Sequence, residues 1–216
     1  MTTSSVDRAH TDHAATGRSA ALDDIFAGAP LMAILRGMGL ERSVRLATAA
    51  WDLGIDSVEV PLQTAEDERA LREVVRLGAE RGKAVGAGTI LTVAQVDQAL
   101  AAGAAYLVAP GLDADVVRAA QERDIPILPG VATPSEVQRA VALGLTWLKA
   151  FPAQWLGADW FRHIRGPFPG VSFVATGGMD AANAGLFLDA GVRVVAVGSA
   201  LEDESQLPRL AALLAR

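Results

Sequence analysis

Residues 84–109 read AVGAGTILTVAQVDQALAAGAAYLVA. A short apolar run lies near each end of this stretch, at Ala84–Ala87 and Ala105–Ala109, and the amphipathic segment Val93–Ala102 lies between them. Apolar runs without polar alternation are typical of parallel strands that are covered on both faces. Gly103 follows the central segment, as glycine follows many helices. The stretch therefore predicts a strand, a helix and a second strand of a parallel sheet.

The same unit repeats from Pro30 to the C-terminus. Eight apolar runs alternate with amphipathic segments, and these runs are Leu31–Leu35, Ser57–Val60, Ala84–Ala87, Ala105–Ala109, Ile125–Leu128, Thr146–Ala150, Ser172–Ala175 and Val192–Val197. Eight units over about 185 residues predict an α/β protein whose residues 20–216 form one (β/α)8 barrel domain. Asp23–Ala27 is predicted as a short helix that caps the bottom of the barrel. A doubly wound sheet is the alternative, but the nearest match to its glycine-rich loop, Gly86–Leu91, lacks the third glycine.

Composition excludes several classes of protein. Apolar residues make up 51% of the 216, which excludes a disordered chain, and the net charge of −6 without a basic stripe disfavours a nucleic-acid partner. The chain has no cysteine, so disulfides, thiolate metal sites and cysteine nucleophiles are excluded. No apolar run reaches ~18 residues, and we expect no membrane span. Residues 1–19 lack the apolar core of a signal peptide; we predict a disordered extension and a cytoplasmic protein.

One lysine lies where a charged residue is unexpected. Only two of the 19 basic residues are lysines, and Lys149 lies within the apolar run that ends at Phe151-Pro152. Arginine keeps its proton in proteins, whereas a buried lysine can lose its proton and become a nucleophilic amine, as Schiff-base chemistry requires. The alternative is a lysine at the end of a strand with its ammonium group extended to water.

Active sites of (β/α)8 barrels form at the C-terminal ends of the strands. The residues at or just beyond these ends are Arg36, Glu59, Thr89, Pro110, Thr133, Lys149, Thr176-Gly177-Gly178 and Gly198-Ser199. Glu59 is an isolated carboxylate in an apolar strand and is suited to proton transfer, although a structural ion pair with Lys149 or Arg36 is the alternative. Arg36 is suited to bind a carboxylate or phosphate, or to form a salt bridge at the strand end.

Two glycine turns follow the last two strands, Gly177-Gly178 and Gly198-Ser199. Barrels often bind phosphate at this place through backbone N–H groups, because glycine allows the backbone to approach an anion closely. The turns therefore predict a phosphate site, and the alternative is a pair of ordinary tight turns. The Thr89 hydroxyl is placed to bind a carboxylate or a carbonyl group.

Seven motifs, in this order, resemble the KDPG/KDPGal/4-hydroxy-2-oxoglutarate aldolase family over roughly residues 22–216. They are Ala33-Ile34-Leu35-Arg36-Gly37, Val58-Glu59-Val60-Pro61-Leu62, Gly86-Ala87-Gly88-Thr89, Ala109-Pro110-Gly111, Pro129-Gly130-Val131-Ala132-Thr133, Leu148-Lys149-Ala150-Phe151-Pro152-Ala153 and Thr176-Gly177-Gly178. The resemblance implies a class I aldolase that needs neither a metal nor another cofactor and is usually a homotrimer. It implies cleavage of 2-keto-3-deoxy-6-phosphogluconate (KDPG), or its galactonate epimer, to pyruvate and glyceraldehyde 3-phosphate.

The resemblance also implies roles for individual residues. Lys149 matches the lysine that forms the Schiff base with the pyruvate carbonyl, Glu59 the glutamate that moves protons, and Thr89 the threonine that holds the pyruvyl carboxylate. The phosphate-binding turns match Gly177, Gly178, Gly198 and Ser199. We expect the site for this small 2-oxo sugar acid to include also Arg36, Gln63, Pro110, Thr133 and Thr176.

Two departures from the family pattern leave the substrate open. Gln63 stands where gluconate-specific relatives often carry arginine, which favours the galactonate epimer, whereas Thr176 favours the gluconate epimer. With Gln63 in place of a cation, carboxylate binding relies on Thr89 and Arg36, and weaker phosphate dependence or shorter hydroxy-oxo acid substrates remain alternatives.

Two other functions remain open: an isomerase or epimerase that uses Glu59 and Lys149 only for proton transfer, and a non-catalytic barrel that serves as a binding or assembly module.

Overall fold

The computed structural model of the chain describes residues 21–203 and 205–215. Within these residues, nine strands form one parallel sheet in the order β5-β4-β3-β2-β1-β9-β8-β7-β6. The strands are β1 Leu31–Ile34, β2 Ser57–Pro61, β3 Val85–Gly88, β4 Tyr106–Val108, β5 Ile127–Leu128, β6 Gly130–Val131, β7 Trp147–Ala150, β8 Ser172–Thr176 and β9 Val194–Val197.

The two ends of this sheet are joined through β5 and β6, which only Pro129 separates. Strand β5 pairs with β4, and β6 pairs with β7. The Lys149 N–H donates to the Pro129 carbonyl at 2.9 Å, while the proline itself has no N–H to donate. Strands β5 and β6 thus occupy one position together, and the sheet closes into a barrel of eight positions. The predicted (β/α)8 barrel is confirmed, with its fifth strand divided by a proline.

Helices connect the strands and cover the outside of the barrel. They are α1 at residues 21–26, α2 Gly39–Leu53, α3 Ala65–Glu80, α4 Val93–Ala101, α5 Ala114–Glu122, α6 Pro134–Ala142, α7 Ala153–Leu156, α8 Ala158–Ile164, α9 Ala184–Asp189 and α10 Leu207–Leu214, with a 3-10 helix at Ser199–Glu202. Threonine caps begin α3, α4 and α6, and each forms a capping box with the acidic or amide residue three positions later. No helix in the described parts of the chain is long and apolar enough to cross a membrane.

The barrel interior is packed at its lower end, where α1 closes it. The Phe26 ring lies 5.8 Å from the ring of Tyr106 and 5.0 Å from that of Trp147, centroid to centroid. The Trp147 indole N–H also donates to the Asp23 carboxylate at 2.8 Å. These contacts confirm the predicted capping helix and leave the opposite end, where the strands reach their carboxyl termini, as the mouth. The predicted extension at residues 1–19 lies outside the described residues.

Candidate active site

Lys149 and Glu59 meet inside the barrel from opposite sides of its wall. Lys149 lies on β7 and Glu59 on β2, and the lysine Nζ is 3.9 Å from the glutamate Oε2. Lys149 is 1% exposed and Glu59 is 0% exposed. The lysine is therefore buried beside a carboxylate rather than extended to water.

Three influences act on the Lys149 amine. Burial lowers its pKa from the usual value, because the charged form loses its hydration, and the nearby Arg36 charge lowers it further. The Glu59 charge acts in the opposite direction, and the Phe151 ring lies 5.4 Å from Nζ. The net effect on the pKa is downward, which increases the fraction of neutral, nucleophilic amine near neutral pH.

Space for the Glu59 side chain exists because Gly88 on the neighbouring strand β3 has no side chain. A Cβ atom at Gly88 would overlap the Glu59 carboxylate, and a Cβ at Gly86, two residues earlier, would overlap the Tyr106 ring. The Tyr106 hydroxyl donates to the Val58 carbonyl at 2.9 Å and so stabilises the strand beside Glu59. The two glycines of β3 thus form a flat surface on which the carboxylate and the phenol ring lie.

Two buried groups near the mouth have no hydrogen-bond partner among the described residues. They are the Glu59 carboxylate, at both oxygens, and the Thr89 hydroxyl. Thr89 follows β3 with φ of +59°, a left-handed conformation that is rare for a β-branched residue. Buried polar atoms are nearly always paired, and strained residues cluster at functional sites. Both groups are therefore available to a bound ligand.

A cavity of about 490 Å³ opens at the mouth above Lys149, a size that suits a small-molecule ligand. Seven of the residues predicted from the sequence line it: Arg36, Lys149, Thr176, Gly177, Gly178, Gly198 and Ser199. Gly177 and Gly178 have φ of +94° and +74°, and a Cβ at Gly177 would lie 3.1 Å from the Phe151 ring. The turn after β8 therefore packs against Phe151, two residues after Lys149, more closely than a residue with a side chain would allow.

Glu59, which lies beside Lys149, is not among the residues that line this cavity, and four other predicted residues also lie outside its lining. Thr89 is buried near the mouth as described above, and Pro110 is half-buried with its carbonyl against Gly130. Gln63 is exposed. Thr133 is exposed, and its hydroxyl caps α6: it accepts from the Glu136 N–H at 3.3 Å and donates to the Glu136 carboxylate at 2.9 Å. Substrate contacts by these four residues remain predictions.

The cavity also contains residues that the sequence analysis did not select, namely Met38, Gln154, Asp180 and Glu202. Gln154 donates its backbone N–H to the Gly177 carbonyl at 3.1 Å, and its side chain occupies the space beside Gly178. The Asp180 carboxylate accepts the N–H groups of Ala182 and Asn183 at 2.8 and 3.0 Å. One feature of the sequence could have indicated that these four residues line the site: each lies only a few positions after a strand-end motif.

A family model described as "KDPG and KHG aldolase" matches residues 22–212. The chain belongs to the KDPG and KHG aldolase family. Its members give the class of chemistry, so the protein is an enzyme, a carbon–carbon lyase, that acts on small sugar-acid substrates.

Individual relatives of this aldolase carry more specific names. It is 35% identical over 173 residues to a probable 2-dehydro-3-deoxy-6-phosphogalactonate aldolase of Rhizobium meliloti, covering 80% of this chain and 81% of the relative. It is 34% identical over 162 residues to a 2-dehydro-3-deoxy-phosphogluconate aldolase of Pseudoalteromonas atlantica, covering 74% of each. A solved structure of KDPG aldolase from Legionella pneumophila, with pyruvate captured as a covalent carbinolamine intermediate, matches with a TM-score of 0.77 and 31% identity, covering 88% of this chain and 94% of that one.

The site of the aldolase thus combines one buried amine, one buried carboxylate, a guanidinium group and two glycine turns around a single cavity. Among residues 21–203 and 205–215, no group of three or more histidine, aspartate or glutamate side chains is close enough together to hold a metal ion. The chemistry that these side chains themselves can perform is nucleophilic attack by the amine and proton transfer by the carboxylate.

Proposed function

We propose that this aldolase is a class I enzyme that cleaves KDPG, or its galactonate epimer, to pyruvate and glyceraldehyde 3-phosphate through a Schiff base on Lys149. The observation that carries the proposal is the buried amine, 3.9 Å from a buried and otherwise unpartnered carboxylate, on the floor of a cavity of about 490 Å³. The relatives named for each epimer support the substrate class. The proposal covers both epimers, because Gln63 and Thr176 favour opposite ones.

The reaction begins when the neutral amine of Lys149 attacks the C2 carbonyl of the substrate. Loss of water gives an iminium ion, which draws electrons from the C3–C4 bond. Glu59 removes the proton of the C4 hydroxyl, directly or through a water molecule, and the C3–C4 bond breaks to release glyceraldehyde 3-phosphate. The enamine left on Lys149 is protonated at C3, and hydrolysis of the resulting iminium releases pyruvate and regenerates the amine.

Substrate binding is assigned to groups around this pair. Thr89 and Arg36 hold the carboxylate, and the backbone N–H groups of the turns at Gly177-Gly178 and Gly198-Ser199 hold the phosphate. Gln63, Pro110, Thr133 and Thr176 complete the proposed contacts. The unpartnered hydroxyl of Thr89 supports its role, because a carboxylate oxygen would satisfy it.

Borohydride trapping tests the covalent step. Reduction in the presence of pyruvate is expected to fix one pyruvate on the protein and to inactivate it. Peptide mapping then locates the adduct, and the chain supplies its own control, because Lys83, its only other lysine, is paired with Asp56 away from the cavity. An adduct at Lys149 alone supports the proposal. A protein that stays unmodified while it turns over its substrate would instead act by proton transfer only.

A coupled assay of pyruvate release from both phosphorylated epimers tests the substrate.

We also propose that the protein forms the homotrimer that the family resemblance implies and that it is located in the cytoplasm. Sedimentation at several protein concentrations tests the trimer, and cell fractionation tests the location.

A further inference from the structure

The lining of the cavity carries anionic as well as cationic side chains, although a phosphate is proposed to bind there. Among the described residues that line it, the cationic side chains are Arg36 and Lys149, and the anionic ones are Asp180 and Glu202. A phosphate dianion held by the glycine turns would therefore lie among as many carboxylates as cations. Asp180 is occupied with backbone N–H groups of its own turn, which leaves Glu202 as the carboxylate to consider.

Glu202 is part of the turn that is assigned to bind phosphate. It ends the 3-10 helix Ser199–Glu202, which begins with the residue after Gly198. Its side chain is 29% exposed and forms an ion pair with Arg42 of α2. Arg42 does not line the substrate cavity but lines an adjoining depression of about 690 Å³. Glu202 thus lines the cavity, while its carboxylate is paired with an arginine that does not line it.

This arrangement acts differently on two kinds of substrate. A terminal phosphate at the glycine turns is repelled by the Glu202 carboxylate, and the Arg42 guanidinium offsets this repulsion only in part. A terminal hydroxyl group carries no charge and can donate a hydrogen bond to the same carboxylate. The carboxylate therefore reduces the gain in affinity that a phosphate would otherwise obtain from the backbone N–H groups of the glycine turns.

We infer that Glu202 is a specificity-determining residue for the distal end of the substrate. Its carboxylate weakens the selection for a terminal phosphate, so that the aldolase cleaves 2-keto-3-deoxy sugar acids with and without the phosphate at comparable efficiency. This inference rests on the proposed class I aldolase function and adds the substrate range of the same site.

The experiment compares kcat/KM for KDPG and for 2-keto-3-deoxygluconate, with the galactonate pair in parallel. For the wild type, we expect the two values to lie within roughly tenfold of each other. Glu202→Gln is expected to raise the ratio of phosphorylated to unphosphorylated substrate by roughly tenfold, the size expected for one partly exposed charge next to a phosphate. Arg42→Ala, which removes the counter-ion, is expected to move the ratio in the opposite direction.

Glu41→Gln is the matched control, because it makes the same change of net charge at a residue of α2 that does not line the cavity. It is expected to leave the ratio unchanged. A ratio that is unaltered in both Glu202→Gln and Arg42→Ala, or that shifts equally in Glu41→Gln, overturns the role of Glu202. Absence of cleavage together with absence of a borohydride adduct would overturn the proposed function instead, so the two failures are distinguishable.

Discussion

Replacing Gly88 with alanine adds one methyl group at the place where the structure leaves space for the carboxylate of Glu59, the proposed proton-transfer group. The new Cβ would overlap the Oε1, Cδ and Cγ atoms of Glu59, all of which belong to a side chain with 0% exposure. The carboxylate has to rotate away from Lys149, or β2 and β3 have to separate. Either response displaces the carboxylate from its position beside Lys149. Gly88→Ala is therefore expected to lower catalysis, although residue 88 has no functional group of its own.

The size of the effect follows from what Glu59 contributes. General acid–base catalysis by one positioned group is worth roughly 10²- to 10⁴-fold, or about 3–5 kcal/mol of barrier, and kcat should fall within that range. Overpacking of a buried strand adds a loss of roughly 1–3 kcal/mol in the free energy of unfolding. Gly86→Ala controls for this loss. Gly86 lies on the same strand as Gly88, but a methyl group there overlaps the Tyr106 ring rather than the carboxylate.

Two assays separate proton transfer from the covalent step. Exchange of the pyruvate methyl hydrogens with deuterated water reports proton transfer, and borohydride trapping reports the imine. We expect Gly88→Ala to lose most of the exchange while it still forms the trapped adduct at Lys149. In a Glu59→Ala background the methyl has room, so adding Gly88→Ala should cause little further loss of exchange. Exchange at the wild-type rate in the single Gly88→Ala variant would refute the reasoning.

Three further predictions follow from the same side chains. Lys149→Arg keeps a positive charge but cannot form the imine, so cleavage should be abolished while the circular dichroism spectrum is retained; turnover at the wild-type rate would exclude the covalent mechanism. Burial lowers the pKa of Lys149 below its usual 10.5, whereas the Glu59 charge raises it. Trapping should therefore become faster as the pH rises, with a midpoint below 10.5. Glu59→Gln should move this midpoint still lower, and an upward shift would contradict the reasoning. Tyr106→Phe removes the hydrogen bond from the Tyr106 hydroxyl to the Val58 carbonyl and should lower the free energy of unfolding by about 0.5–1.5 kcal/mol in a denaturant titration; an unchanged midpoint would show that the bond adds no stability.

Much of the fold was predictable because parallel strands and their covering helices leave a local pattern. The eight apolar runs marked the eight positions of the barrel, and Gly103 marked the end of a helix. The division of the fifth strand at Pro129 was not predicted. The division depends on the neighbouring strand with which each half pairs: β5 pairs with β4, and β6 pairs with β7. Such pairing between distant segments cannot be read from the local sequence.

The candidate site was predictable only in part. Thr133 was predicted as a substrate contact because it follows a strand, yet its hydroxyl serves the capping box with Glu136 in this structure. Gln154 and Glu202 were not selected, because they lie on short helices just after β7 and β9, and the direction of such a helix depends on the conformation of the backbone that precedes it. A polar residue on a loop reaches a cavity or the solvent according to torsion angles that its residue type does not determine.

The sequence by itself determined that a rare lysine and an isolated glutamate lie in apolar strands of an alternating α/β chain. The order of apolar and polar residues along the chain is enough to recognise such strands. Only the tertiary structure decided that the two side chains meet at 3.9 Å, over the bare glycine of a third strand and beneath a cavity bordered by Glu202. Residues 90 positions apart along the chain come together because the barrel closes. Closure is a property of the whole sheet, and so are the shared mouth and the electrostatics within it.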